Sequence, residues 1–381
     1  MKEIIILGST GSVGTQTLEV IDHLDNWRVK ILAVYENTEL LKKQIKKYRP
    51  EYAVVVDKEA AVELKKTITV KTKILAGENA LIDAASENAD LVLNAVVGAA
   101  GLKPSIAAVK AGNDLALANK ESLVIGGNIL TEAVKQNDVN LLPVDSEHNA
   151  IFQLMENHQK DLKEIILTAS GGPFFSFTQE QLKDVSVKDA LNHPTWEMGN
   201  KITIDSASLM NKGLEVIEVH WLFDVNYDQI KVLIHPQSIV HSMIRLTDGT
   251  IMAEMGAADM RIPIQYCLTY PDRQKVMTDD LQLEEVGILD FYKPDTEKFP
   301  ALDYAYTAGR AGGTFPAALN ASNEVAVKHF LQGNIPFLAL NRVTASVLDM
   351  HENISNPNLD EIIAADRWAR KTALEVINKW F

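Results

Sequence analysis

Short, wholly apolar runs recur through the first 145 residues, separated by stretches of helical spacing. Residues 4–7, 29–34, 53–56, 91–95, 115–118 and 141–144 carry few polar positions. Strands buried on both faces of a parallel sheet show this pattern, whereas half-exposed strands alternate. Intervening segments such as 39–48 and 104–111 place apolar residues three and four apart, as helices do. The alternation predicts βαβ units and a doubly wound Rossmann-like sheet over residues 1–148.

The rhythm then changes. Residues 149–270 hold apolar runs at 164–168, 202–205, 231–234 and 239–245, with a helical pattern at 211–222. These runs are expected as strands of a central α+β domain. A Pro- and Asp-rich stretch at 271–300 looks like a connecting arm. Residues 301–381 are Ala-rich and helical, with breaks at Gly312-Gly313, at Gly333-Asn334 and over 353–357. A small C-terminal helical bundle is expected. The fold class is therefore α/β: a Rossmann-like domain, a central α+β domain and a helical bundle.

Composition narrows the function. In 381 residues, 46 % hydrophobic content suffices for two or three cores. A formal net charge of -14 argues against non-specific nucleic-acid binding, although a few local cations can still hold a phosphate. No apolar run is long enough for a membrane span, and no secretory pattern precedes the first strand. A soluble, cytoplasmic protein is expected. Cys267 is the single cysteine, so an intramolecular disulfide and a thiolate cluster within one chain are excluded. Its apolar neighbours predict a buried, inert thiol.

Several polar segments carry candidate chemistry. Gly8-Ser9-Thr10-Gly11-Ser12-Val13-Gly14 follows the first strand and opens a helix, where backbone N–H groups can hold a pyrophosphate. The spacing is GxxGxxG rather than GxGxxG. Asn119-Lys120-Glu121 lies at the carboxyl end of a strand, where open α/β sheets bind ligands, but Asn119 also suits a helix cap. In Val144-Asp145-Ser146-Glu147-His148, extended backbone would turn Asp145 and Glu147 to one side, as hard ligands for Mg²⁺ or Mn²⁺. The alternative is a helix start rich in acids. Residues 205–215 gather Ser206, Asn211 and Lys212, which suit either a phosphate site or a solvated helix start, with Glu215 on the helical face of Lys212. Ser170-Gly171-Gly172 suits a tight turn or an anion nest, and residues 193–201 suit a mobile cover or an ordinary loop.

Taken in order, GSTGSVG, VVGAAGLKP, ALANKESLV, PVDSEHNAIFQ, TASGGPF, HPTWEMGNKITIDSASLMNKGLE, HPQSIVHSM and MGAADMRIPIQ resemble the 1-deoxy-D-xylulose 5-phosphate reductoisomerase family. The resemblance runs from the first residue past 330. It implies an NADPH- and Mg²⁺- or Mn²⁺-dependent enzyme that is a homodimer. Its parts would be a cofactor domain (1–148), a catalytic and dimerisation domain (149–270), an arm (271–300) and a helical domain (301–381). Residue by residue, it implies that Thr10, Gly11, Ser12 and Val13 hold the cofactor pyrophosphate. Asn119, Glu121 and Gly199 would contact the cofactor, and Lys120 and Ser146 the substrate. Asp145, Glu147 and Glu215 would bind the metal, with Glu147 and Glu215 also meeting the substrate. Ser170, Ser206, Asn211 and Lys212 would hold the sugar phosphate, beneath a lid containing His193, Trp196 and Met198. Lys120, Glu147 and His193 are the implied catalytic groups. The chain departs from the family at Tyr35-Glu36-Asn37, beside the expected adenosine ribose: Asn37 fits and Glu36 does not. Competing readings are a related reductase of another sugar phosphate and a nucleotide-sensing protein.

Overall fold

The computed structural model describes residues 1–196 and 198–381. The chain divides into two compact units. The first comprises Met1–Ser122, Asn128–Asn149 and Asp259–Asp279, and the second comprises Leu123–Gly127, Ala150–Ala258 and Asp280–Phe381.

In the first unit, strands β1 (Lys2–Leu7), β2 (Trp27–Val34), β3 (Tyr52–Val55), β4 (Lys73–Ala76), β5 (Leu91–Asn94), β6 (Asp114–Leu117) and β7 (Leu141–Pro143) are all parallel. Their order is β4-β3-β2-β1-β5-β6-β7. The expected strands are present, and β4 is an additional edge strand. The winding reverses between β1 and β5, which places the ligand crevice outside the carboxyl ends of those two strands. Helices α1 (Ser12–His23), α2 (Thr38–Tyr48), α3 (Lys58–Thr67), α4 (Glu78–Ala85) and α5 (Leu102–Lys110) make the crossovers. Ile4, Ile5, Ile6, Ile31, Leu32, Leu93 and Leu115 are fully buried, as a sheet covered on both faces requires. Helix α6 (Lys120–Asn137) follows β6 and bends at Gly126, and α7 (Ser146–Met155) follows β7.

The second unit contains α8 (Val187–Leu191), α9 (Asn200–Ala207) and α10 (Met210–Phe223), with strands β8 (Leu162–Ala169), β9 (Ile230–Ile234), β10 (Val240–Leu246) and β11 (Ile251–Met255). The sheet order is β11-β10-β8-β9, antiparallel except for β8 against β9. The first unit adds α11 (Arg261–Thr269). The second adds the short α12 (Leu283–Val286), then α13 (Ala301–Ala311), α14 (Phe315–Leu331), α15 (Ala339–Asp349) and α16 (Leu359–Trp380). The last four form the expected helical segment, interrupted at each predicted break. One expectation fails. Residues 202–205 are helical, inside α9, not a strand. Their β-branched pattern is overridden by tertiary packing, which buries Thr203, Ile204, Asp205 and Ala207 within α9.

Two glycines set the packing around α10. A Cβ on Gly213 would meet the Ala305 Cβ at 2.6 Å, so the missing side chain lets Ala305 of α13 pack onto the backbone of α10. A Cβ on Gly309 would lie 2.5 Å from the Tyr227 ring. Burial pushes the Tyr227 hydroxyl above its ordinary pKa.

Candidate active site

At the reversal of the first sheet, β1 runs into the glycine turn. Gly8 adopts φ +87°, and a Cβ there would lie 2.5 Å from the Ala95 carbonyl oxygen beyond β5. A Cβ on Gly14 would meet the Gly8 oxygen at 2.2 Å, so the glycine lets α1 start tight against the turn. Gly11 occupies the cap position of α1 without a side-chain cap. Thr10, Gly11, Ser12 and Val13 thus surround a helix N-terminus at the crevice, where an anionic group is electrostatically favoured.

Asn119 is both a cap and a clamp. Its Oδ1 accepts from the Ser122 N–H at 3.0 Å and from the Ser122 hydroxyl. Its Nδ2 donates to the carbonyls of Val96 (2.7 Å) and Gly98 (2.9 Å), and to Glu121 Oε2 (2.9 Å). A Cβ on Gly101 would collide with Asn119 Oδ1 at 2.2 Å, so this glycine makes room for the clamp. The capping alternative is therefore realised, and it orients Glu121 beside the crevice. Lys120 forms an ion pair with Asp145 Oδ2 at 2.6 Å, and both side chains are largely withdrawn from solvent. Asp145 and Glu147 do not share an extended segment as expected, because α7 begins at Ser146. Glu147 lies in the first helical turn and accepts from the Ser146 hydroxyl at 2.6 Å. Backbone N–H groups and the helix dipole favour acids at that position.

At the end of β2, Asn37 caps α2 by accepting from the Leu40 N–H at 3.3 Å. Glu36 is exposed. The Ser9 hydroxyl donates to Gln44 Oε1 at 2.8 Å, which ties the glycine turn to α2.

The second unit assembles its own polar cluster. Gly172 has φ +68°, and a Cβ on it would meet the Ser206 carbonyl oxygen at 2.8 Å. The Ser170-Gly171-Gly172 turn therefore rests directly on the last turn of α9, and this brings Ser170 toward Ser206. His193 Nδ1 accepts from the backbone N–H groups of Thr195 (3.2 Å) and Trp196 (3.0 Å). The proton of the neutral ring consequently sits on Nε2, which lies 2.9 Å from the Ser170 hydroxyl oxygen. Burial lowers the His193 pKa, so the neutral, Nε2–H form dominates near neutral pH. On α10, Glu215 accepts from Asn211 Nδ2 at 2.5 Å and forms an ion pair with Lys212. Lys212 and Glu215 are almost fully buried. A carboxylate has about four lone-pair sites, so both contacts leave Glu215 able to ligate a metal.

In the expected cover segment the Trp196 ring lies 6.4 Å from the His241 ring, and Met198 is half-buried. Gly199 caps α9, and a Cβ there would meet nothing within 4 Å. Glu197 lies outside the described residues. Sequence reasoning singled out neither Gly101 nor Gly213. The dense glycine pattern beside candidate polar residues was the available signal for both.

The strand order and the glycine turn at its reversal define a dinucleotide-binding α/β protein of the dehydrogenase type. Comparison with known proteins narrows this. The model of 1-deoxy-D-xylulose 5-phosphate reductoisomerase matches residues 4–127, and that of its C-terminal domain matches 141–223. A second model, the DXP reductoisomerase C-terminal domain, matches residues 255–372. The chain is 54 % identical over 379 residues to the 1-deoxy-D-xylulose 5-phosphate reductoisomerase of Halothermothrix orenii, with 98 % of each chain covered. Among solved structures, it is similar to the Zymomonas mobilis 1-deoxy-D-xylulose 5-phosphate reductoisomerase in complex with NADPH, at 39 % identity and TM-score 0.92. That match covers 99 % of each chain. A DOX-P reductoisomerase in complex with NADPH, fosmidomycin and magnesium is 38 % identical, with TM-score 0.95, and 99 % of this chain and 98 % of that one are covered. The chain belongs to the 1-deoxy-D-xylulose 5-phosphate reductoisomerase family.

Proposed function

We propose that the protein converts 1-deoxy-D-xylulose 5-phosphate to 2-C-methyl-D-erythritol 4-phosphate, using NADPH and Mg²⁺ or Mn²⁺, in the non-mevalonate route to isoprenoids. Full-length membership of the family carries this reading. The donor chemistry fits a hard divalent ion: Asp145, Glu147 and Glu215 are the proposed ligands, all carboxylates. When bound, the ion would supply Lewis acidity and NADPH the hydride.

The chain's own residues do the rest in this reading. Ser170, Ser206, Asn211 and Lys212 hold the phosphate, with His193 adding its Nε2–H. The Lys120 ammonium, held by Asp145, stabilises oxyanion charge as the carbon skeleton rearranges by retro-aldol cleavage and re-addition. Glu147 orients the substrate oxygens, and Ser146 donates to them. Trp196 and Met198 close over the site and exclude water while the aldehyde is reduced. Thr10, Gly11, Ser12 and Val13 receive the cofactor pyrophosphate, with Glu36, Asn37, Asn119, Glu121 and Gly199 along its length.

The functional parts in this reading are a cofactor domain (1–148), a catalytic and dimerisation domain (149–270), an arm (271–300) and a helical domain (301–381). A homodimer would cover the exposed Ile251 on β11 and Leu283 and Ile288 in the arm. Among the described residues no helix is long and apolar enough to cross a membrane. The proposed setting is the cytoplasm. The test is substrate-dependent NADPH oxidation in the presence of Mg²⁺, with the product identified by NMR. Oxidation that yields an unbranched polyol phosphate would favour a reductase of another sugar phosphate. No oxidation with this substrate would overturn the reading.

A further inference from the structure

Asp205 and Ser206 are neighbours on α9, about 100° apart around its axis. Asp205 is only 1 % exposed, whereas Ser206 is half-buried. The Asp205 carboxylate takes Lys201 Nζ at 2.9 Å on one oxygen and Asn323 Nδ2 of α14 at 2.7 Å on the other. Asn323 is itself 2 % exposed. Asn320, Asn323 and Glu324 stand three and four residues apart, so they form one polar stripe along a helix otherwise rich in Ala and Val. Asn320 Nδ2 donates to Glu324 Oε1 at 2.9 Å, and Glu324 Oε2 pairs with Arg370 of α16 at 2.6 Å. Arg370 also pairs with Asp366 at 2.8 Å. Polar groups placed this deep are costly unless each is satisfied, and apolar side chains would pack the helices without that demand. The stripe thus contributes something apolar packing does not, namely a directional bond to one residue of α9.

What that bond fixes follows from the last turn of α9. The Ser206 carbonyl stands against Gly172 so closely that no Cβ fits between them. A small displacement of the helix would either clash with the Ser170 turn or open a gap beside it. We propose that Asn323 is a positioning residue: by holding Asp205, it sets Ser206 against the Ser170 turn in the geometry that grips the substrate phosphate. The inference rests on the reading of Ser206 as a phosphate contact. It gives the C-terminal bundle a part in substrate affinity, although α14 supplies no ligand.

Steady-state kinetics of Asn323→Ala, Asn323→Asp, the exchange Asp205→Asn/Asn323→Asp and Ser206→Ala would test this. Each is assayed with the phosphorylated substrate, and NADPH affinity and thermal melting are measured on the same samples. Asn323→Asp sets two carboxylates face to face, whereas the exchange restores one donor and one acceptor. Losing a charged hydrogen bond that orders a ligand should raise KM about tenfold in both single Asn323 variants, with kcat within about threefold and NADPH affinity unchanged. The exchange should return KM to within about threefold of the parent. If Ser206→Ala raises KM while both Asn323 variants keep it within about twofold, the positioning role is wrong and the phosphate reading stands. If Ser206→Ala leaves KM unchanged, both are wrong. Should Asn323→Ala fail to fold, the contrast between Asn323→Asp and the exchange decides. A folded exchange variant whose KM remains as high as that of Asn323→Asp overturns the proposal.

Discussion

In the first unit Asn119 and the glycine turn are fixed by backbone around them, whereas the polar residues of α9 and α10 in the second are fixed largely by other side chains. Asn119 is held by carbonyls of Val96 and Gly98 and by the Ser122 N–H. The glycine turn after β1 contributes N–H groups and missing Cβ atoms. By contrast, Lys212 and Glu215 form a buried ion pair on α10, with Asn211 on the same carboxylate, and Lys201 and Asp205 form another on α9. Backbone cradles tolerate loss of a single side chain because the N–H groups remain. Buried charge pairs do not, because removing one partner leaves the other uncompensated. The two regions should therefore respond unequally to substitution.

The sharpest break in that contrast comes from the carboxylates. Asp145→Asn and Glu215→Gln should each reduce metal-dependent turnover by roughly a thousandfold, the equivalent of about 4 kcal/mol in the barrier. NADPH binding, measured by fluorescence titration, should be nearly intact in both. Near-parental activity of either variant at saturating Mg²⁺ would remove that residue from the ligand set. Next in size is Lys212→Ala. Charged hydrogen bonds contribute about 1.5–3 kcal/mol, so the phosphorylated substrate should bind about tenfold or more weakly, and a dephosphorylated analogue should be less affected. Equal damage to both substrates would show that Lys212 acts on Glu215 alone.

Gly213→Ala probes the helix contact behind the charge pair. The added methyl meets Ala305 at a distance no packed core accepts, so stability should fall by about 1–3 kcal/mol in denaturant unfolding. An unchanged midpoint would mean that α13 moves aside freely. The smallest effect is expected at Glu36, exposed at the end of β2. Its charge would oppose a 2′-phosphate through solvent, so Glu36→Ser should raise kcat/KM for NADPH by roughly fivefold, about 1 kcal/mol of screened repulsion. The NADH value should stay level or fall. A constant NADPH/NADH ratio at low and moderate salt would place Glu36 away from the ribose.

The same contrast governs what could be read in the chain. Parallel strands such as 4–7 and 91–94 announce themselves, because burial on both faces leaves no room for polar residues. The edge strands β4 and β11 escaped notice; they are short, and one face is exposed. Ile202, Thr203 and Ile204 misled because β-branched residues favour strands locally, while the burial of α9 is a tertiary fact. Site residues were named through family motifs, and those motifs held both an Asn that caps and a helix start that carries acids. The supporting contacts were not legible. Asn323 lies 118 residues from Asp205, and nothing in local spacing joins them.

Cys267 is the chain's single cysteine, and burial pushes its thiol up to about 12. It donates to the Pro143 carbonyl at 3.3 Å and is only 4 % exposed. Thiol-directed reagents near neutral pH should therefore leave the native protein untouched. Any cysteine introduced on the surface, for instance at the exposed Lys188 beside the cover segment, would be the only site to take a spin label or fluorophore. The protein comes ready for single-position spectroscopy, with no background cysteine to remove.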